Sequence, residues 1–335
     1  MTDNIKRITV LGAGRWGTAM AIYLSRKNLD VTVQCHLKEE YQQLVDTGIA
    51  PNLPGYNCEG RIKFEMDLEN SIVGAQLIIM AMPVAFLRSV LGRMGTISKD
   101  TVILSINKGI ERETLQTVPT IIKEYFPNHV LAHLGGPCFP DGLLSKTTPV
   151  AETLACEDEK IGAQLQQLIS SADFRVYGSR DVQGVATLGA LKNVYAIIAG
   201  VADGFGMYEE VISVIVTRGL AEMKRYCQKM GFSLETLYGL SGLGDLALTC
   251  YSPANSHNKN FGIRLGKGEK TQQILDSMDG TIAEGYFTTK AVWDIANNMK
   301  IELPLCKMAY EVIYKGLSIE EGLQKLMRRP LKLED

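Results

Sequence analysis

The sequence predicts an α/β protein with a doubly wound parallel sheet in its N-terminal part and an all-helical C-terminal domain. Up to residue 181, short apolar runs rich in Val, Ile and Leu alternate with longer amphipathic segments. Such alternation is typical of a parallel sheet that helices cover on both faces. After Asp181 the strand signals stop, and the later segments have helical length and periodicity. A glycine-rich turn also joins the first apolar run to the first amphipathic segment, as at the start of a doubly wound sheet.

The hydrophobic pattern places the elements in order along the chain. It predicts strands over residues 8–11, 31–35, 77–82, 101–106, 130–133 and 174–177. Between these strands it predicts helices over residues 16–27, 38–46, 84–94 and 112–125. Beyond them it predicts helices over residues 183–202, 209–230, 255–266, 284–299 and 304–315. We therefore expect two domains, residues 1–181 and residues 182–335, which pack closely and leave a cleft between them.

Composition and charge exclude several classes of function. A formal net charge of -2 gives no general attraction for nucleic acid or for an anionic membrane. Seven cysteines without a C-x-x-C pair indicate reduced thiols in a cytosol, and four histidines without H-E-x-x-H make a metal site unexpected. The chain begins without a signal-peptide pattern, and its longest uncharged apolar run, residues 77–87, is too short to span a bilayer. We expect a cytoplasmic protein.

The first predicted strand is followed by a loop with the pattern G-x-G-x-x-G, formed by Gly12, Gly14 and Gly17. In this position the first glycine permits a tight turn, the second lets the backbone approach a pyrophosphate, and the third lets the helix lie close to the strand. The helix that begins here with Arg15 and Trp16 offers its free N–H groups to the anion. A turn with incidental glycines is the alternative. The context of strand, loop and helix favours a Rossmann-type domain that binds a dinucleotide.

The end of the second predicted strand bears on the choice of nicotinamide cofactor. An NAD-specific site usually presents a carboxylate there to the ribose hydroxyls, whereas this chain has Cys35 and His36. Because no carboxylate would repel a 2′-phosphate, NADPH is admissible and slightly favoured over NADH. The alternative is that His36 is a solvated side chain without a role in binding.

A single lysine, Lys192, lies within an apolar predicted helix and is followed by Asn193. Burial disfavours the charged form of a lysine and so lowers its pKa toward neutrality, which suits it to proton transfer. The alternative is a lysine that extends its ammonium group to solvent, and apolar residues on both sides for more than one turn disfavour that alternative. The sequence therefore predicts a buried proton donor at Lys192, with Asn193 as a second polar contact.

Two further charged residues are expected near this lysine. Asp245 lies in the glycine-punctuated stretch 240–250, with Thr249 four residues later on the same helical face. Asp245 is predicted as the counter-ion of Lys192, and a helix N-cap is its alternative role. Lys108 follows the predicted strand 101–106, and ligands of open α/β sheets bind at the carboxyl ends of strands. Lys108 should therefore point into the crevice and not lie on the surface.

The segments 189–193 and 240–250, together with the glycine loop, closely resemble the soluble NAD(P)-dependent glycerol-3-phosphate dehydrogenases, and the likeness covers residues 6–326. Shorter matching segments are residues 135–140, 217–220, 256–262 and 283–285. The resemblance implies hydride transfer between NAD(P)H and dihydroxyacetone phosphate, giving sn-glycerol 3-phosphate for phospholipid synthesis, by a homodimer. It also implies that Lys192 protonates the forming alkoxide, that Lys108 and Asn193 position the substrate, and that Asp245 and Thr249 orient Lys192 and the substrate.

The resemblance implies two sets of binding residues. The cofactor would contact residues of the glycine loop, the strand ends and the second domain, namely Gly12, Gly14, Arg15, Trp16, Gly17, His36, Lys108, Pro140, His257, Ile282 and Glu284. The substrate would contact Lys108, Gly136, Cys138, Lys192, Asp245, Ser256, His257 and Asn258.

The chain departs from the usual pattern of this family at five positions. Family members usually have Arg where this chain has His257. In those proteins the arginine binds the phosphate and touches the cofactor. They also have Ser, Ala, Asn and Ser where this chain has Cys138, Pro140, Glu210 and Arg15. A partly charged histidine predicts weaker phosphate binding, with a KM that rises from about pH 6 to 8, unless nearby lysine or arginine residues (Lys259, Arg264) supply the charge.

Two other functions remain open at this point. One is a dehydrogenase of the same architecture that acts on a different small ketone or keto acid, which would fit the altered phosphate-binding segment. The other is a cofactor-binding sensor whose active site has decayed, which the retained Lys108, Lys192, Asp245 and Thr249 disfavour.

Overall fold

The computed structural model describes residues 5–58, 61–252, 256–278 and 283–334. Its strands are β1 (Arg7–Leu11), β2 (Asp30–Gln34), β3 (Ile62–Glu65), β4 (Leu77–Met80), β5 (Val102–Ser105), β6 (Leu131–Gly135), β7 (Val150–Cys156) and β8 (Phe174–Ser179). The helices between them are α1 (Arg15–Ser25), α2 (Lys38–Thr47), α3 (Leu68–Ile72), α4 (Val84–Arg93), α5 (Val118–Tyr125), α6 (Pro140–Leu144) and α7 (Glu159–Ile169).

The strands form one sheet in the order β3-β2-β1-β4-β5-β6-β7-β8. All neighbours are parallel except β6 and β7, which run antiparallel. Successive side chains of a strand point to opposite faces of the sheet. Leu77 and Ile79 of β4 therefore belong to one hydrophobic cluster, and Ile78 and Met80 belong to a second cluster. The predicted doubly wound sheet is thus confirmed, with one antiparallel pair that the sequence did not indicate.

Two strands and part of one helix differ from the sequence prediction, and helices α3, α6 and α7 were not predicted. Strand β3 is a half-exposed edge strand that carries Lys63 and Glu65, and β7 contains Glu152, so neither gives a continuous apolar run. The predicted helix over residues 112–125 is wrong in its first half. Helix α5 starts only at Val118, because Pro119 favours the first turn of a helix, and an isolated β-bridge joins Ile110 to Thr117 before it.

The described chain beyond residue 181 is helical, as predicted. It contains α8 (Val182–Phe205), α9 (Glu210–Met230), α10 (Leu234–Tyr238), a π-helix (Leu240–Gly244), α11 (Asp245–Tyr251), α12 (His257–Gly266), α13 (Thr271–Asp276), α14 (Glu284–Met299), α15 (Pro304–Lys315) and α16 (Ile319–Met327). The short helices α10, α11 and α13, the π-helix and α16 were not predicted. The division of the chain into domains at residue 181 stays a prediction.

Helix α8 is the central element of the helical part. Within the described residues it is the one helix long and apolar enough to cross a membrane, but its whole apolar window is buried inside the protein. It packs against α9, α11, α12, α14 and strand β6. A helix that is apolar all round belongs in a core, and α8 connects the helical part to the sheet.

Helix α12 crosses α8 at a backbone-to-backbone contact that requires glycine on both helices. A Cβ at Gly200 of α8 would overlap the carbonyl oxygen of Lys259, and a Cβ at Gly262 of α12 would overlap that of Ile197. The two glycine Cα positions lie so close that a Cβ on either one would sit 3.0 Å from the other Cα. No side chains separate the two helices at this point.

Candidate active site

The carboxyl ends of the parallel strands meet along one edge of the sheet. Gly12 follows β1, His36 follows β2, Lys108 follows β5 and Gly136 follows β6. Since strands in a parallel sheet share a direction, the loops after them are neighbours in space. The structure therefore brings the glycine loop and Lys108 to the same edge, which faces the helical part.

Two lysines from different parts of the chain bind one carboxylate at this edge. The Lys108 Nζ donates to Asp245 Oδ2 at 2.6 Å, and the Lys192 Nζ donates to Asp245 Oδ1 at 2.7 Å. Lys192 also donates to the Thr249 hydroxyl at 2.6 Å. Lys192 and Asp245 are 5% and 1% exposed, so Lys192 does not extend to solvent. We call Lys108, Lys192, Asp245 and Thr249 the lysine–aspartate centre.

The π-helix positions Asp245 for this contact. Asp245 directly follows it as the first residue of α11, and its carboxylate makes no N-cap hydrogen bond. The alternative role of Asp245 as an N-cap is therefore wrong. The Thr249 hydroxyl lies one turn later and accepts from Lys192 while it donates to the backbone carbonyl oxygen of Asp245 at 2.7 Å. Short π-helical segments occur frequently at functional sites, where they redirect side chains.

Burial and charge shift the pKa values of the centre in opposite directions. Burial lowers the pKa of Lys192 to about 8, although the charge of Asp245 opposes this. Burial would raise the pKa of Asp245, but the charges of Lys108 and Lys192 outweigh it and hold that pKa below its usual value. For Lys108 burial alone would lower the pKa, but the charges of Asp245 and Glu152 and the hydrogen bond to Asp245 together outweigh it, and the pKa lies above the usual value. Lys192 is therefore the lysine of the pair prepared to release a proton near neutral pH.

The glycine loop has the backbone that a pyrophosphate site requires. Gly12 has a φ of +109°, and a Cβ there would lie 2.8 Å from the carbonyl oxygen of Ala81. A Cβ at Gly17 would overlap the carbonyl oxygen of Gly12, so α1 can lie this close to the loop only with glycine there. By contrast, apart from its own chain neighbours and nearby helix backbone, no heavy atom of the described residues lies within 4 Å of where a Cβ of Gly14 would be. The open space beside Gly14 and the N-terminus of α1 fit an approaching phosphate.

The other predicted cofactor residues of the sheet lie around this loop. Arg15 is the first residue of α1 and forms an ion pair with Asp141 of α6. Pro140, the first residue of α6, is buried. Trp16 packs against the hydrophobic cluster of the sheet. His36 is exposed directly after β2. The loop, α6 and the end of β2 thus border one open surface.

The predicted phosphate-binding segment begins α12, and its side chains are already engaged. Ser256 caps the helix by accepting from the backbone N–H of Lys259 at 3.1 Å, and Asn258 Oδ1 accepts from the N–H of Gly285 at 2.8 Å. His257 is exposed as the first residue of the helix, where partial desolvation and then the charge of Arg15 lower its pKa. The structure therefore brings Arg15 of the sheet and His257 of the helical part to face each other.

The lysine and arginine that could have replaced a charge at His257 have other partners. Lys259 is buried and binds Asp203 at 2.7 Å. The Arg264 guanidinium forms a two-point ion pair with Glu269. Arg15 is thus the cation that acts on His257, and sequence reasoning did not connect these two residues.

The remaining predicted site residues are spread around the centre. Asn193 is 3% exposed beside Lys192, and Cys138 is 3% exposed in the loop after β6. Glu284 begins α14 and accepts from the N–H of Val84, so it links the helical part to the first turn of α4. Ile282 lies outside the described residues. Glu210, the remaining departure from the family pattern, is exposed at the start of α9, and nothing in the described structure connects it with the centre.

Sequence reasoning missed one acidic residue close to the centre. Glu152 of β7 is 2% exposed, and the charges of Lys108, Asp245 and Lys192 all act on it. The signal that could have found it is a glutamate in the otherwise uncharged run 150–156.

The sheet, its glycine loop and the lysine–aspartate centre define a dinucleotide-dependent oxidoreductase with a doubly wound N-terminal sheet and a helical second part. Models of the NAD-dependent glycerol-3-phosphate dehydrogenase N-terminus and C-terminus match residues 7–162 and 181–324. The chain belongs to this family of NAD(P)-dependent glycerol-3-phosphate dehydrogenases.

Full-length relatives support the same family. The glycerol-3-phosphate dehydrogenase (NAD(P)+) of Citrifermentans bemidjiense is 36% identical over 334 residues, which is 98% of this chain and 99% of the relative. The protein of the same name from Geobacter sulfurreducens is 35% identical with the same coverage. The crystal structure of glycerol-3-phosphate dehydrogenase from Coxiella burnetii has a TM-score of 0.91 at 30% identity, covering 97% of this chain and 99% of that one.

Proposed function

We propose that this protein transfers a hydride between NAD(P)H and dihydroxyacetone phosphate to give sn-glycerol 3-phosphate, a precursor for phospholipid synthesis. The observation that carries the proposal is the buried Lys192, held by Asp245 and Thr249 at the sheet edge that also presents the glycine loop. The alternative substrate, another small ketone or keto acid, is not favoured, because the full-length relatives are glycerol-3-phosphate dehydrogenases.

The chain's residues supply the proton and the charge that the reduction needs. Lys192 as an ammonium donates its proton to the C2 oxygen of dihydroxyacetone phosphate as negative charge develops there. Its pKa of about 8 leaves it charged at neutral pH and able to release the proton. Asp245 keeps the ammonium group in place, and Thr249 fixes its direction. Lys108 and Asn193 position the substrate.

Backbone groups of the sheet would hold the cofactor. The turn at Gly12 and the open space at Gly14 would receive the pyrophosphate at the N-terminus of α1, with Arg15 and Trp16 beside it. When bound, the nicotinamide supplies the hydride. Lys108, Pro140, His257 and Glu284, together with Ile282 and His36, are the further contacts that we propose for the cofactor.

The substrate phosphate would bind at the N-terminus of α12. The side chains of Ser256 and Asn258 are engaged in hydrogen bonds with backbone groups, so free backbone N–H groups and His257 are the direct donors that we propose there. Arg15 is the permanent positive charge that we propose there, because its charge acts on His257 and its Nε has no partner in the described structure, although the guanidinium also pairs with Asp141. Gly136 and Cys138 are the proposed contacts on the sheet side.

An assay of NADPH oxidation tests this function. We expect dihydroxyacetone phosphate to be reduced with a kcat/KM at least about a hundredfold above that for unphosphorylated dihydroxyacetone, since a charged phosphate contact contributes several kcal/mol. Small keto acids serve as controls for the alternative substrates. Faster reduction of any of these than of dihydroxyacetone phosphate would contradict the proposal. Absence of turnover with every substrate, with NADPH still bound, would favour the sensor.

The His36→Asp variant tests the choice of cofactor. His36 is exposed at the end of β2, where a carboxylate would accept from the ribose hydroxyls of NADH and repel the 2′-phosphate of NADPH. We expect the ratio of kcat/KM for NADPH to that for NADH to fall about tenfold or more. The measurement compares both cofactors in wild type and variant. Glu39→Gln, one turn away on α2, is the matched surface control, and an unchanged ratio in His36→Asp would mean that this position does not face the ribose.

The His257→Arg variant tests phosphate binding. Because the pKa of His257 is lowered, its ring is neutral from pH 7 to 8, and the KM of the wild type should not depend on its titration there. This moves the pH dependence expected from the sequence to more acidic values. An arginine stays charged and can bind two phosphate oxygens, so we expect the KM for dihydroxyacetone phosphate to fall several-fold at pH 7.5. An unchanged KM in His257→Arg would indicate that Arg15 already satisfies the phosphate, whereas a higher KM would contradict a phosphate contact at this position.

We also propose, from the family resemblance, that the protein is a homodimer in the cytoplasm. Sedimentation equilibrium of the full chain would give its mass, and a mass of one chain of 36.8 kDa at micromolar concentration would contradict the dimer.

A further inference from the structure

Glu152 of β7 is a buried acid that the mechanism above does not use. It is 2% exposed, and among the described residues its Oε2 has no hydrogen-bond partner. An ionised carboxylate in this situation would be costly, so such a group is expected to be neutral or to serve a neighbouring charge. The question is which neighbours Glu152 acts on.

Strand pairing places Glu152 beside Gly136, a residue that also contacts Lys108 of the lysine–aspartate centre. Strand β7 runs antiparallel to β6, and Gly136 follows β6 opposite Glu152. A Cβ on Gly136 would lie 2.8 Å from the Cα of Glu152 and 3.1 Å from its Cγ, so only glycine leaves room for the glutamate there. The carbonyl oxygen of Gly136 is 3.5 Å from Lys108 Nζ. Glu152 and Lys108 thus contact the same residue.

Among the residues that the structure describes, the charged groups that act on Glu152 belong to this site. Lys108, Asp245 and Lys192 act on it from the end of β5, from α11 and from α8. Cys138 and His133, from the β6 side, are neutral: burial raises the pKa of the thiol, and burial followed by the charge of Lys108 lowers the pKa of His133 to about 3. On the other side, its partner in β8 is the apolar Val176.

The protonation of Glu152 therefore decides the net charge of the site. Burial raises its pKa to about 8, although the charge of Lys108 opposes this. With Glu152 protonated, two lysines and one aspartate leave a net charge of one positive unit. With Glu152 ionised, the net charge is zero. The change falls in the same pH range as the release of the proton of Lys192.

We propose that Glu152 is a positioning residue of this reaction centre, which acts through Lys108 and Lys192 and sets how firmly Lys192 holds its proton. The inference rests on the proposed function, in which Lys192 donates that proton. When Glu152 is ionised, its negative charge stabilises the ammonium of Lys192 and keeps it charged to higher pH. When Glu152 is neutral, the positive charge of Lys108 is less balanced, and Lys192 gives up its proton more readily.

The Glu152→Gln variant tests this effect in the pH profile. Glutamine keeps the shape of the side chain but has no negative charge, so Lys192 should lose its proton at a lower pH. We expect the alkaline limb of kcat/KM for dihydroxyacetone phosphate to move down by about half to one pH unit. Activity at pH 7 should stay within about threefold of wild type, with the KM for NADPH unchanged. An alkaline limb at the wild-type pH would overturn the proposal.

Glu222→Gln is the matched control, because Glu222 is equally buried outside the site. It accepts from the N–H groups of Leu305 and Cys306 at the start of α15 and from the Tyr195 hydroxyl of α8, and within the described structure it has no hydrogen bond to a residue of the lysine–aspartate centre. Its replacement should lower stability but leave the alkaline limb in place. If Glu222→Gln moves the limb as much as Glu152→Gln, the effect is a general one of removing a buried acid, and the proposal fails.

A measurement that does not depend on turnover tests the protonation of Glu152 itself. Its folded-state pKa is raised above the unfolded value of 4.5, so its contribution to stability is present below pH 4.5 and is lost as pH rises to about 8. Glu152→Gln has no such loss. Between pH 5 and 8, the unfolding equilibrium constant of wild type relative to the variant should therefore rise by about tenfold or more. A constant ratio would mean that folding leaves the pKa of Glu152 unchanged, so that its protonation does not alter the net charge of the site between pH 5 and 8, which overturns the proposed control of Lys192 by Glu152.

Two further points keep the outcomes distinct. If Glu152→Gln folds poorly, Glu152→Met also removes the charge without leaving an unsatisfied oxygen, and it should move the alkaline limb in the same direction. If wild type turns over no dihydroxyacetone phosphate, the proposed function fails, whereas the unfolding measurement still decides whether Glu152 carries the proton.

Discussion

Replacing Lys192 with alanine should lower kcat for dihydroxyacetone phosphate by about 10²–10⁴-fold, the usual contribution of a general acid. Lys192 donates to both Asp245 and Thr249 and is 5% exposed, so its ammonium group is fixed at this position in the wild type. Lys192→Met should lose as much activity although it fills most of the same volume. The measurements are kcat and KM with saturating NADPH, together with the Kd of NADPH for each variant.

The comparison of the two variants separates chemistry from packing. Asp245 still has Lys108 as a partner in both, so its carboxylate is not left without a counter-charge. We expect the Kd of NADPH to stay within about threefold of wild type. A Lys192→Met protein that is folded and binds NADPH, but keeps more than about a tenth of the wild-type kcat, would show that another group donates the proton.

Replacing Asp245 with asparagine should lower both activity and stability. The change leaves the ammonium groups of Lys108 and Lys192 without the carboxylate that now balances them. Their repulsion and their burial should lower the pKa of Lys192 below its present value of about 8, so that less of it is charged at neutral pH. Breaking a buried ion pair costs about 3–5 kcal/mol of unfolding free energy. We expect kcat/KM to fall about a hundredfold at pH 7.5 and to recover in part at lower pH.

Asp203→Asn is the matched control for this prediction. It also removes the carboxylate partner of a buried lysine, Lys259, but at a position outside the lysine–aspartate centre. It should be less stable than wild type while its alkaline limb of kcat/KM stays in place. A pH profile of Asp245→Asn that equals that of Asp203→Asn would contradict the role of Asp245 in holding the charge of Lys192.

The sequence predicted those parts of the fold that local hydrophobic pattern determines. The buried parallel strands and the long helices α8, α9, α14 and α15 have continuous periodic patterns, and they form as predicted. Strand β7 was missed because its pattern includes Glu152. Burying a glutamate in a strand costs free energy, and the positive charges of nearby Lys108 and Lys192 offset part of that cost. The π-helix was missed because its extra residue per turn has no distinct composition, and tertiary contacts maintain it.

The candidate site was predictable where an unusual residue stands in an apolar setting. A lone Lys192 in an apolar helix and a lone Asp245 among glycines indicated a buried pair, and the structure brings them to 2.7 Å. The partners that depend on long-range packing were not predictable. Sequence could not show that Asn258 binds the N–H of Gly285, or that the charge of Arg15 reaches His257.

The glycine contact between α8 and α12 has a consequence for substrate size. Helix α8 carries Lys192, and α12 begins at the proposed phosphate site, so the contact at Gly200 and Gly262 fixes the span between proton donor and phosphate. Because backbone touches backbone there, repacking of side chains cannot lengthen that span. If the substrate phosphate binds at the N-terminus of α12 as proposed, this fixed span would set the separation between reacting carbonyl and phosphate that the site accepts, although neither glycine belongs to the lysine–aspartate centre.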